Sequence, residues 1–185
     1  MSKIPKNLLS EVNKRRNLQR VRPTNIIIPG PGQESVWDYP RPPRVEPVKS
    51  RIRVEFGGVV IADCNKAYRV LETASPPTYY MPQADIKMKY LELSDRSTLC
   101  EWKGKARYWS VRIGRRYSED AAWSYPEPWE GFELISDYIA FHAGKLDACY
   151  VGSEKVLPQP GNYYGGWITS SVVGPFKGEP GTEGW

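Results

Sequence analysis

Residues 51–64 read RIRVEFGGVVIADC, two alternating apolar runs joined by Gly57-Gly58. A period of two puts Val54 and Phe56 on one face and Arg53 and Glu55 on the other, the pattern of a half-buried strand. Two consecutive glycines supply the positive φ angles of a tight hairpin turn. The chain is therefore predicted to be mainly β, a single antiparallel domain, and the later segments agree. Strands are expected at 68–72, 97–102, 105–113 and about 117–125, with Gly104 at a turn. A closing hairpin is expected from 138–142 and 146–151, joined by Ala143-Gly144-Lys145. Helical turns are expected within 83–90 and 131–136. Pro76-Pro77 is expected to end regular structure and to force an extended path through Tyr79 and Tyr80.

Proline, glycine and charge mark off the two ends. Residues 1–33 form a basic, Pro/Gly-rich arm expected to be partly disordered. Residues 34–156 are expected to form the β domain, and 157–185, rich in glycine, proline and aromatics, an ordered closing wrap with loose ends that covers a strand edge or the pocket rim. Residues 1–50 hold ten Lys/Arg against four Asp/Glu, whereas 51–185 hold sixteen against seventeen. The basic excess therefore belongs to the arm, and a broad phosphate-binding face on the domain is not expected. Within residues 1–22, Ser10 and the following residues support a short helix, and the arm is a candidate surface for nucleic acid or an acidic partner. From Pro23 to Pro47 regular helix is excluded, and Trp37 is expected to anchor an extended path against the core.

No apolar run approaches the roughly 20 residues that span a bilayer, nor a signal-peptide core, so a cytoplasmic protein without a membrane span is expected. The three cysteines, Cys64, Cys100 and Cys149, are odd in number and contain no CxxC pair. Neither a disulfide framework nor structural zinc is expected, and no cofactor. His142 is the single histidine; it reads as a partly buried strand residue, not as part of a triad. Exposed strand edges permit a weak dimer, but a monomer is equally expected.

Candidate chemistry concentrates between Arg69 and Tyr125. Tyr79, Tyr80, Trp102, Tyr108, Trp123 and Tyr125 carry apolar bodies and polar tips, so together they can wall a pocket and still offer hydrogen bonds. They are also ordinary strand residues. Glu72, at a strand end beside aromatics, is a candidate general acid or base, or a carboxylate that fixes its own turn. Cys100 with Lys103, in CEWK, is a candidate nucleophile with a cation that favours its thiolate, or a small buried hydrophobe beside a turn lysine. Lys103 alone is a candidate ligand for an anion. The expected function is small-molecule binding in an aromatic pocket around Glu72, Tyr79, Tyr80 and Lys103. The alternatives are a metal-independent enzyme using Glu72 and Cys100, or an interaction protein acting through its arm.

The ordered segments RVLETASPPTYYMPQAD, CEWKGKARYWSV and AAWSYPEPWEGFELISDYIAFHAGKLDACYV resemble the bacterial domain of unknown function 427 family, over about residues 34–151. The flanks resemble those of its longer cyanobacterial form. The resemblance implies a β-tent architecture, shared with methionine sulfoxide reductase B and Mss4-type exchange modules. Members of that wider group often hold zinc between paired cysteines, a pattern this chain lacks. It also implies one shared cleft at the motif residues, Glu72, Tyr80, Cys100 and Lys103 among them, without an accompanying reaction. The family carries a nucleotidyltransferase-like label. That chemistry needs magnesium-holding carboxylates and a glycine-rich phosphate cradle, and neither a G-x-x-x-x-G-K-[ST] loop nor a D-x-D pair is present.

Overall fold

The computed structural model describes residues 4–161, 163–182 and 184–185; residues 1–3 of the basic arm and 162 and 183 of the closing segment lie outside the described residues. One helix, α1 (Leu9–Arg16), comes first. The strands follow in chain order: β1 (Glu34–Ser35), β2 (Arg44–Pro47), β3 (Ile52–Phe56), β4 (Val59–Cys64), β5 (Tyr68–Glu72), β6 (Ser75–Met81), β7 (Leu91–Cys100) and β8 (Gly104–Ile113). After them come β9 (Arg116–Ser124), β10 (Ile139–Phe141), β11 (Ala148–Val151), β12 (Glu154–Lys155), β13 (Leu157–Pro158), β14 (Trp167–Ile168) and β15 (Val172–Val173). The fold is mainly β. Its two main sheets are antiparallel, and β1 with β15 forms a small parallel pair. No helix among the described residues is long and apolar enough to cross a membrane.

The larger sheet runs β2-β5-β6-β10-β9-β8-β7 and the smaller β12-β11-β3-β4. The β3–β4 hairpin forms as its sequence predicts, with Gly57 at φ 59° and Gly58 at φ 76°. Between the sheets, Ile52, Val54, Phe56 and Ile61 of the smaller meet Met81, Val111, Ile139 and Phe141 of the larger. Alternation then sends the intervening residues to the opposite face. Tyr80, Trp123 and Ala140 join Val70, Tyr108 and Tyr125 in a second cluster there. Strand β8 contributes Tyr108 to that face and Val111 to the core by the same alternation; the register shift between Trp109 and Val111 is taken up by extra residues on β9.

Three expectations are corrected. Pro76 and Pro77 do not end regular structure; they lie inside β6. They fall where the β5–β6 register shifts, Glu72 facing Ser75 and Val70 facing Thr78. A proline without an N–H is tolerated at such a bulge. Strand β7 starts at Leu91, well before residue 97, because a register shift between Leu93 and Ser97 breaks the alternation that marks a strand in sequence. Residues 138–142 and 146–151 do not form a hairpin. Strand β10 pairs with β6 and β9 in the larger sheet, while β11 pairs with β3 and β12 in the smaller. The Ala143–Lys145 turn passes the chain from one sheet to the other.

Both ends fold back over the larger sheet. Helix α1 buries only Val12 and is too short to persist unaided. Arg16 fastens it, donating to the Glu101 carbonyl at 2.7 Å with its guanidinium 4.8 Å from the Trp102 ring centroid. Farther on, the Val21 N–H donates to the Gly184 carbonyl and the Ile27 N–H to the Gly174 carbonyl, so the two ends bind each other. Trp37 is buried, as its anchoring role requires; its Nε1 donates to the Pro175 carbonyl at 2.9 Å, and its ring meets Trp185 edge-on at 5.3 Å.

Candidate functional site

A cavity of about 410 Å³ lies between the outer face of the larger sheet and the two folded-back ends. Its floor is Glu72 from β5, Tyr80 from β6, Cys100 from β7, Tyr108 from β8 and Trp123 from β9, with Lys103 from the β7–β8 turn. Tyr125 and His142 complete the wall on the sheet side. These side chains converge because each occupies the outward-facing position of its strand or the turn beside it.

Lys103 is 7% exposed, and its Nζ stands 3.4 Å from Glu72 Oε2. Burial disfavours the ammonium, yet Cys100, Glu72 and Tyr80 together hold its pKa above the usual lysine value. Tyr80 accepts a hydrogen bond from Trp123 Nε1 at 3.1 Å. Burial pushes the Tyr80 hydroxyl up to about 12 against the pull of Lys103, and raises Tyr125 as well. Both phenols are thus proton donors at neutral pH. The Tyr108 hydroxyl is 3.0 Å from Thr98 Oγ1, and Arg96 lies over its ring at 4.5 Å.

His142 packs on Trp123, their ring centroids 4.4 Å apart. Burial, then the charge of Lys145, lowers its pKa to about 4, so the imidazole is neutral at pH 7. It is buried, but it lies just past the end of β10, not within a strand as the sequence suggested, and its place in the cavity wall was not anticipated. A lone histidine carries no spacing that would reveal it.

Two residues expected at the site are placed elsewhere. Tyr79 follows the alternation of β6 to the opposite face, where its ring lies 5.1 Å from Trp167 in the core between the sheets. Adjacent strand residues cannot both face one cavity, so Tyr80 excludes Tyr79. Trp102 lies outside the cavity wall and is covered by the guanidinium groups of Arg16 and Arg41, 4.8 and 5.1 Å from its ring centroid. It holds the arm down. Its buried Nε1 finds no acceptor among the described residues.

The chain ends supply a roof, of which the sequence pointed to the closing segment at the pocket rim but not to the arm. Arg15 and Arg20 enter from the arm, Tyr163, Tyr164 and Lys177 from the closing segment. Gly165 permits the closest approach: a Cβ there would lie 2.2 Å from Trp123 Cη2 and 3.1 Å from His142 Nδ1. Its neighbour Gly166 is similarly confined by Gln159 Oε1 and the Pro76 carbonyl. The Tyr-Tyr-Gly-Gly run was the available signal, two aromatics followed by two residues able to press against another surface.

Chemically, the cavity gathers two carboxylates, a partly exposed thiol, a buried ammonium with three further cations, and protonated phenols. Among the described residues no group of three His, Cys, Asp or Glu side chains is placed to hold a metal ion. None of the curated proteins matches the chain. The family described as a domain of unknown function (DUF427) matches residues 44–152, which takes in every residue of the cavity floor. With more than half of its length matched in this way, the chain belongs to the domain of unknown function 427 family.

Proposed function

We propose that this chain is a small-molecule-binding β domain whose ligand lies between the larger sheet and the two folded-back ends. The observation that carries this reading is Lys103, a buried ammonium opening on a space of about 410 Å³ with its nearest carboxylate at 3.4 Å. A buried charge is costly unless fully satisfied, and this pair is longer than a strong charged hydrogen bond. Aromatic walls with a few convergent polar groups are the make-up of a ligand pocket, and the volume falls in the usual range. The test is native mass spectrometry of protein purified gently from its own cells, with Glu72→Gln and Tyr80→Phe alongside. An added mass on wild type that both variants lose supports the reading. Bare wild-type protein across gentle purifications counts against a retained ligand.

A catalytic use of the same cavity is favoured by one further observation: Cys100 is half-buried and lines it together with Glu72 and Lys103. In that version Glu72 is the acid or base and Cys100 the nucleophile. A Cys100→Ser variant that keeps an intact ligand which wild type converts supports catalysis; identical ligand in both supports plain binding. The arm is a weaker candidate for nucleic acid, because Arg15 and Arg16 are engaged by the carbonyls of Leu99 and Glu101 and Arg20 faces the Glu101 carboxylate. Binding there would be steeply salt-dependent and lost on deleting residues 1–22.

A further inference from the structure

Resting on that reading, we infer that the cavity takes a small organic anion, its carboxylate or phosphate group held by Arg20, Lys103 and Lys177. Four cations line the space, Arg15, Arg20, Lys103 and Lys177, against two carboxylates, Glu72 and Glu101. The two carboxylates do not neutralise them. Glu72 is taken by Lys103. Glu101 is divided between Arg20 at 3.9 Å and Arg41 at 3.8 Å, both longer than the roughly 2.7–2.9 Å of a direct charged hydrogen bond. Arg15 has its own partner in Glu11. Among the described residues Lys177 pairs with no Asp or Glu side chain; it donates to the oxygen of Trp185, the last residue of the sequence, at 2.8 Å.

Among the described residues the surplus is therefore local, at the roof where arm and closing segment meet. Burial and then the charge of Arg20 lower the pKa of both Lys177 and Arg41, the mark of cations crowded together without enough counter-charge. An anion entering between Arg20 and Lys177 relieves that crowding, with the Lys103 ammonium below it. The uncharged part of such a ligand meets Tyr80, Trp123 and Tyr164. His142, neutral at pH 7, adds no competing charge. The same placement gives the basic arm its role: Arg20 belongs to the site, and the excess charge of residues 1–50 is used in part to attract the ligand.

The experiment is calorimetric titration of the full chain with four probes of one shape: phenyl phosphate, benzoate, benzyl alcohol and benzylamine. The two anions are expected to bind, more weakly as salt is raised, and the alcohol and the amine are not. Arg20→Ala and Lys177→Met are each expected to weaken the anions by about tenfold, the usual loss for a charge-assisted hydrogen bond. Both lie at the roof, so they carry the test even if Lys103→Met fails to fold. If benzyl alcohol or benzylamine binds as tightly as the anions, or the roof variants bind anions unchanged, the anion assignment is overturned and small-molecule binding stands. If none of the four binds, both fall.

Discussion

On one face of the larger sheet, Met81, Ala122, Ile139 and Phe141 lie in the apolar core against the smaller sheet; one residue along β6 and β9, Tyr80 and Trp123 face a cavity. The core face also buries two thiols, and burial pushes Cys64 up to about 12 and raises Cys149. Neither is a useful nucleophile there. The third cysteine, Cys100, is half-buried and opens on the cavity. The core face is closed by side chains with little to hydrogen-bond. The cavity face is closed by chain ends lying over polar tips, one buried cation and an unfilled space. Stability is concentrated on the first face, and chemical potential on the second.

That contrast can be broken experimentally, and the largest effect is expected on the core side. Phe141 is fully buried, and Phe141→Ala should cost about 4 kcal/mol in urea unfolding. A loss below about 1 kcal/mol would mean the core face is not where stability resides. Next comes His142, at the edge between the two faces. Its pKa falls from about 6.5 in the unfolded chain to about 4 when folded, so the folded state binds fewer protons over that window. Its contribution is fully present above about pH 6.5 and is lost as pH falls through about 4, roughly 3 kcal/mol in all. Because carboxylates titrate in the same range, the check is the pH dependence of wild type minus that of His142→Gln; a flat difference would remove the claim.

Smaller effects are expected on the cavity face. Gly165→Ala places a methyl group against Trp123 and should cost about 2 kcal/mol, the scale of overpacking. Because the closing segment must lift, tryptophan emission should shift red as well; an unshifted spectrum would show that the roof does not rest on Trp123. Glu72→Gln should be mildest, about 1 kcal/mol, since the carboxylate is 32% exposed and its bond to Lys103 is long. A loss as large as that of Phe141→Ala would make the cavity face a structural one after all.

The β3–β4 hairpin was readable because every signal for it is local: alternation, paired glycines and charged residues on the wet face. The floor residues Glu72, Cys100 and Lys103 were readable for a similar reason, as unusual groups at strand ends among aromatics. Which of Tyr79 and Tyr80 faces out was not, because parity separates the two without saying which side is core. The passage from β10 to β11 read as a hairpin because a short turn between two apolar runs looks the same whether the second strand folds back or joins another sheet. The arm's share of the roof was hidden more thoroughly. Arg15 and Arg16 reach carbonyls 84 and 85 residues away, and no window of sequence contains both partners.

The family match ends at residue 152, and the roof lies wholly outside it. Floor and roof thus come from different stretches of the chain: the floor groups stand on strands inside the matched span, and the cover comes from the two flanks. A substitution at Arg20 or Lys177, or a different tail altogether, would re-key the entrance without disturbing a single strand. On the ligand reading proposed above, chains that share this floor need not share a guest, and a ligand found for one of them identifies the socket, not the lock.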